Sequence, residues 1–114
     1  MTAINPNQMQ FSPITPADIE QLMVIECQCH SHPWSEKTFA SCVGGRYIGE
    51  YLSVNGETVG FYIGDYIAGE STLMDICVAP NQQGNGYGKK LLNQYLRQAK
   101  NLGAATSWLE VRAK

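Results

Sequence analysis

Val78-Ala79-Pro80-Asn81-Gln82-Gln83-Gly84-Asn85-Gly86-Tyr87-Gly88-Lys89-Lys90-Leu91-Leu92 reads as an apolar strand passing through a glycine-rich turn into a helix. A junction of this kind aims several backbone N–H groups, and the positive end of a helix dipole, at one point in space. That point suits a phosphate group. Glycine at Gly84, Gly86 and Gly88 removes the Cβ atoms that would hold an anion away from the amides. The turn therefore predicts a phosphorylated cofactor.

The flanking elements follow from pattern. Downstream, Leu91, Leu92, Tyr95, Leu96 and Ala99 form one stripe of a helix from about Gly88 to Leu102, ended by Gly103. Ala105 to Val111 then reads as a last strand. Upstream, Tyr47 to Val54 and Thr58 to Ile67 are rich in β-branched and aromatic residues around Asn55-Gly56, a strong hairpin signal. Gly69-Glu70 reads as a second turn, and Ser71 to Val78 as the third strand of a meander. Before these, Phe11 to Ile14 is a short strand. Thr15-Pro16-Ala17-Asp18 opens a helix running to Cys29, with Ile19, Leu22, Met23 and Ile25/Glu26 at helical spacing. His30 to Trp34 is a loop. Ser35 caps a short helix carrying Phe39 and Cys42, which Gly44-Gly45 ends. The layout is α/β: an antiparallel meander, a strand–turn–helix crossover, and a strand able to lie parallel to the one before the crossover.

Composition narrows the partners. The chain has 114 residues, 44% hydrophobic and 16% charged, with a net charge of −2. That is one domain, residues 1–114, with enough apolar material for a core. Eight Lys and Arg are too few for a nucleic-acid grip. No apolar run reaches the length of a membrane span, and Met1 to Gln10 has no charged start with an apolar centre. A cytoplasmic location is expected. Cys27-Gln28-Cys29-His30-Ser31-His32 crowds soft ligands together, but the Cys-x-Cys-His spacing departs from finger patterns and no second ligand pair follows. No metal is expected from it, and Cys27, Cys29, Cys42 and Cys77 read as small reduced thiols.

Among phosphate loops, a Walker A motif needs Ser or Thr after Gly-Lys, where Lys90 stands here. A dinucleotide fingerprint needs a different final glycine spacing and an earlier place in a βαβ unit. What remains is Gln83-x-x-Gly86-x-Gly88 directly after Val-Ala-Pro. This pattern resembles the pyrophosphate loop, Arg/Gln-x-x-Gly-x-Gly/Ala, of the GNAT superfamily of acetyl-CoA-dependent N-acetyltransferases. Pro33-Trp34-Ser35-Glu36-Lys37-Thr38-Phe39-Ala40-Ser41 and Trp108-Leu109-Glu110-Val111-Arg112-Ala113 look like the corresponding stretches of RimI-type ribosomal-protein-alanine N-acetyltransferases. The similarity runs from about Thr15 to the last residue.

The resemblance implies a GNAT acyl-CoA N-acyltransferase fold, a mixed, mainly antiparallel sheet with flanking helices. It implies acetyl-CoA as co-substrate, with no metal, and the N-terminal alanine of the eighteenth small-subunit ribosomal protein as acceptor. Main-chain N–H groups from Gln83 through Gly84, Asn85, Gly86, Tyr87 and Gly88 to Lys89 would receive the pyrophosphate. Lys89 and Lys90 either add charge there or are solvated. The pantetheine arm would lie along Ile76, Cys77 and Val78 as a pseudo-strand. Cys77 reads as a packing residue, an acetyl-cysteine intermediate being the alternative. Glu110, at the family's glutamate position in an apolar strand, is the implied base; otherwise it is a solvent-facing residue paired with Arg112. Trp34 reads as a core plug or as a wall of the acceptor site beside Glu36 and Lys37. Asp75 and Glu70 read as solvated carboxylates or attractors of a basic peptide.

The family fold continues past the Glu110 strand with a helix and two strands, and its general acid, a tyrosine, lies in that helix. The sequence ends at Lys114, so the fold is expected to lack these final elements and no residue here takes the acid's role. An open sheet edge at the last strand, able to pair with another chain, is the further expectation. The alternative to an active transferase is therefore a coenzyme A-binding or self-associating module that does not turn over.

Overall fold

The glycine turn sits where one sheet hands over to one helix, and the rest of the chain frames that junction. The computed structural model describes residues 8–112, with 106–112 described by backbone alone. Five strands, β1 (Met9–Pro13), β2 (Tyr47–Val54), β3 (Glu57–Ile67), β4 (Glu70–Val78) and β5 (Thr106–Arg112), form one sheet in sequence order. β1 to β4 pair antiparallel, and β5 joins β4 in parallel through the crossover helix α3 (Tyr87–Asn101). Helices α1 (Ile19–Cys29) and α2 (Glu36–Ser41) cover the opposite face.

Local chemistry accounts for the boundaries. Pro16–Asp18 forms a 3-10 turn before α1, so the regular helix starts three residues later than the pattern indicated. The carboxylate of Asp18 accepts from the backbone N–H and the hydroxyl of Thr15 at 2.8 and 2.9 Å. The Ser35 hydroxyl accepts from the N–H of Thr38 at 3.1 Å and caps α2. Asn55 and Gly56 both have positive φ, as the hairpin between β2 and β3 requires. At the end of α3, Gly103 at φ 97° lets Ala104 N–H reach Ala99 C=O and Gly103 N–H reach Lys100 C=O, a Schellman stop.

The second hairpin departs from expectation. Ala68 (φ 53°) and Gly69 (φ 82°) are its turn residues, and β4 already begins at Glu70. An alanine in the left-handed region is strained by about 1–2 kcal/mol. Ala68→Gly should therefore raise the urea midpoint, with a gain of about 0.5–1 kcal/mol after the added unfolded-chain entropy. An unchanged or lowered midpoint would contradict that strain.

Two cores follow from strand alternation. Leu22, Ile25, Cys29, Phe39, Phe61, Ile63 and Cys77 are buried beneath α1 and α2. Leu52, Val59, Tyr62, Leu73, Val78, Leu91, Tyr95 and Ala99 are buried beneath α3. Leu92 is only half-buried and Leu96 is 39% exposed, so the working stripe of α3 is narrower than the sequence pattern implied. A β-bulge at Met74 decides the inner faces of β4. Ile63 pairs with Asp75 but Gly64 with Leu73, leaving Met74 as the extra residue. Leu73 therefore faces α3, whereas Asp75 and Cys77 face α1.

Gly60 and Gly64 on β3 let the α3 layer approach the sheet. A Cβ at Gly64 would lie 2.7 Å from a Tyr95 ring carbon and 2.9 Å from the Thr72 carbonyl oxygen; one at Gly60 would strike the Cys77 carbonyl. Gly64→Val should destabilise the domain by about 1–3 kcal/mol through overpacking, read as a lower midpoint at unchanged m-value.

Candidate active site

Proline and glycine shape the turn first. Pro80–Gln82 makes a 3-10 turn after β4, braced by Gln82 N–H to Ala79 C=O at 2.8 Å. Gly84 (φ 89°) and Gly86 (φ 79°) take left-handed conformations, with open space where their Cβ atoms would be. Gly86 is the N-cap of α3, and Lys90 N–H makes the first helical bond, to Gly86 C=O at 3.2 Å. Among the described residues, the N–H groups of Gly84, Asn85, Gly86, Tyr87, Gly88 and Lys89 have no protein acceptor. The N–H of Gln83, by contrast, reaches Pro80 C=O at 3.5 Å. Six unspent amides thus lie along an exposed turn at the helix's positive end.

Side chains at the turn brace it rather than fill it. Gln83 Nε2 donates to Val78 C=O at 3.1 Å, and Asn85 Nδ2 to Gln82 C=O at 3.1 Å. Lys89 and Lys90 are exposed. Gly88 approaches β4 closely enough that a Cβ would touch Val78 Cγ2 at 3.8 Å. A groove of about 360 Å³ between Ile14, Tyr47, Tyr62 and Gln98 lies at the other end of the sheet, away from the turn.

β4 supplies the second part of the site. β5 pairs with it only as far as Asp75, with a register shift after Leu73, and no described residue of β5 pairs with Ile76, Cys77 or Val78. Ala79 N–H bonds Val59 C=O. Antiparallel alternation therefore directs Cys77 main-chain groups toward β3, and those of Ile76 and Val78 toward the open side. The Val78 carbonyl there also accepts from the Cys29 thiol at 3.1 Å.

Glu110 lies on β5 between Leu109, which pairs with Leu73, and Arg112, which pairs with Asp75. Its backbone thus stands where the β4–β5 register shifts, before the open half of β4 begins. Its side chain, like those of Trp108 and Arg112, lies outside what the structure describes. β5 is one of the two edge strands of the described sheet, β1 being the other.

Asp75 and Cys77 differ from their sequence reading, whereas Trp34 takes the first of its two. Asp75 is fully buried, not solvated. Its Oδ1 lies 3.0 Å from His30 Nε2 and 3.5 Å from Cys77 Sγ. Cys77 is more than a packing residue: it touches His30 and Glu26 beneath α1. Hydrogen bonding to Cys29 and burial, with the Asp75 and Glu26 carboxylates nearby, push its thiol up, which disfavours a nucleophilic thiolate. Burial would raise the Glu26 carboxyl, but hydrogen bonds with Asp75 and Trp34 and the charge of His30 outweigh it and hold it below the usual range. Trp34 packs edge-on to Phe39, with centroids 6.2 Å apart, as a core plug. Glu36 and Lys37 are exposed beside Pro16, Ile19 and Glu20. The signal for Glu26 was present in sequence: it continues the Leu22–Ile25–Cys29 face, where a carboxylate needs partners.

An antiparallel meander that opens between β4 and a parallel β5, with a turn of unspent amides at the start of α3, is the layout of an acyl-CoA transferase scaffold. The chain belongs to the acetyltransferase (GNAT) family, whose model matches residues 18–114. It is similar to the [ribosomal protein bS18]-alanine N-acetyltransferase of Escherichia coli K12, with 41% identity over 103 residues, 90% of this chain and 70% of that protein. The crystal structure of the ribosomal-protein-S18-alanine N-acetyltransferase from Escherichia coli matches with a TM-score of 0.87 at 39% identity, covering 94% of this chain and 69% of that one. The N-acetyltransferase PaiA of Thermoplasma acidophilum, solved in complex with coenzyme A, shares the fold at 15% identity and a TM-score of 0.72, covering 85% of this chain and 75% of that chain. Among the described residues, no helix is long and apolar enough to cross a membrane.

Proposed function

We propose that the chain transfers the acetyl group of acetyl-CoA to the N-terminal α-amine of an alanine-starting ribosomal protein of the bS18 type. The observation that carries this reading is the set of unspent amides from Gly84 to Lys89 at the mouth of the open half of β4. They receive the diphosphate of coenzyme A, and the pantetheine arm runs beside Ile76–Val78. The acceptor follows the bS18-alanine N-acetyltransferases that this chain resembles.

The chemistry is a direct acyl transfer. The neutral amine attacks the thioester carbonyl, the C–N bond forms, and the C–S bond breaks to release the coenzyme A thiol. A main-chain N–H of β4 facing the open side polarises the carbonyl, a contribution on the order of 10²-fold. An α-amine with pKa near 7.7–8.0 is about a tenth neutral at pH 7, so a modest base suffices. Glu110 takes the amine's proton, directly or through water, and the departing thiolate is protonated from solvent in the described part of the site.

An alanine-starting basic peptide incubated with acetyl-CoA and this chain should gain one acetyl group at its N-terminus, read by fragment mass spectrometry. Binding of acetyl-CoA without acetylated peptide would favour a coenzyme A-binding module instead. Self-association through the β5 edge belongs to that second reading, and sedimentation of the two states would reveal it.

A further inference from the structure

A buried polar cluster lies behind the proposed acyl-transfer site, and its side chains are not used by the chemistry above. Glu26 and His30 stand one turn apart at the end of α1, and the bulge at Met74 turns Asp75 and Cys77 of β4 toward them. Their exposures are 0, 8, 0 and 1%. His30 Nε2 lies 3.0 Å from Asp75 Oδ1, 3.7 Å from Glu26 Oε1 and 3.2 Å from Cys77 Sγ. Cys77 Sγ lies 3.4 Å from Glu26 Oε1 and 3.5 Å from Asp75 Oδ1. All four donor atoms fall within 4.8 Å of one another.

We propose that Glu26, His30, Asp75 and Cys77 form a buried tetrahedral site for one zinc-class divalent ion. Bond lengths of about 2.0–2.1 Å to N and O and about 2.3 Å to S give tetrahedral ligand–ligand edges of roughly 3.3–3.6 Å. Five of the six ligand–ligand separations, 3.0 to 3.7 Å, bracket those edges, and the Glu26–Asp75 pair lies within 4.8 Å. Little movement is needed to seat an ion at the centre. The donor set of one thiol, one imidazole and two carboxylates fits zinc or cobalt and not magnesium or calcium, which take oxygen shells. The N–H of Trp34 donates to Glu26 Oε2 at 2.9 Å, fixing the carboxylate with Oε1 toward the centre as an outer partner of a metal ligand does.

Binding releases the Cys77 proton and any proton on His30 Nε2 to solvent and forms the metal–thiolate and metal–imidazole bonds, with no change of oxidation state. The ion ties the end of α1 to β4 directly behind the open half-strand. This site differs from the Cys27–His32 run: Cys27 and His32 are exposed, and only His30 of that run is a ligand.

The test is a cobalt titration of the chelator-treated full chain, followed by zinc displacement. One equivalent of cobalt should give strong tetrahedral ligand-field bands and a thiolate-to-cobalt charge-transfer band, both bleached by zinc, with a raised melting temperature in zinc. Cys77→Ser should lose the charge-transfer band and His30→Gln should weaken uptake at least about tenfold. Cys27→Ser and Cys29→Ala should keep the band, which decides the ligand even if a core variant fails to fold. No uptake by the unaltered chain, or a weak six-coordinate spectrum, would overturn the proposal. So would a band lost with Cys27, or a Cys29–Cys77 disulfide forming in place of metal binding.

Discussion

Gly86→Asp should weaken acetyl-CoA binding at least about a hundredfold in calorimetry while the thermal transition stays cooperative. Gly86 lies at φ 79° at the N-cap of α3, among the amides of the proposed diphosphate site. A carboxylate there repels the diphosphate and offers the amides a competing acceptor within their own chain. Loss of two charge-assisted hydrogen bonds, at about 1.5–3 kcal/mol each, already exceeds two decades in affinity. Aspartate is among the few residues that visit the left-handed region, and it suits the positive end of a helix. Binding therefore fails for electrostatic reasons while α3 still forms. Undiminished affinity would place coenzyme A elsewhere.

Glu110→Gln should lower kcat by about 10²–10⁴-fold at neutral pH with little change in the KM for acetyl-CoA. The amide keeps the size of the side chain and removes its basicity. The deficit should shrink as the pH rises past about 8, where the α-amine of the peptide is neutral without assistance. A loss that stays constant with pH would assign Glu110 a positioning or packing role. Equal rates for both forms at pH 7 would remove it from the mechanism.

The parts of the fold that depend on near neighbours in sequence were legible. Asn55-Gly56, Ser35, Gly103 and the Gly84–Gly88 turn each announce a backbone conformation that few other residues accept, and each forms its element where expected. The same local logic fails where the cause lies across the sheet. Ala68 takes a left-handed turn that no alanine advertises, because the β3–β4 register demands it. Gly60 and Gly64 matter through the Cys77 carbonyl, Thr72 and Tyr95, which arrive from other strands and from α3.

The site divides along the same line. The turn with its unspent amides was legible because it is built from consecutive residues. The open half of β4 was expected from family resemblance, not from spacing. Cys27 to His32 drew attention to a local metal pattern, yet helix geometry turns Cys27 outward and brings Glu26 and His30 inward. Their partners, Asp75 and Cys77, lie 45 and more residues away and face them only through the Met74 bulge. A bulge has no composition signal strong enough to be read in advance, so Asp75 looked like a solvated carboxylate.

The central claim concerns six backbone amides, and amide resonances report on them one by one. Adding coenzyme A to nitrogen-15-labelled protein should shift the amide signals of Gly84, Asn85, Gly86, Tyr87, Gly88 and Lys89 most strongly, with smaller shifts along Ile76–Val78. Saturating coenzyme A that leaves the Gly84–Lys89 amides unmoved, or moves only signals elsewhere in the sheet, would contradict the account.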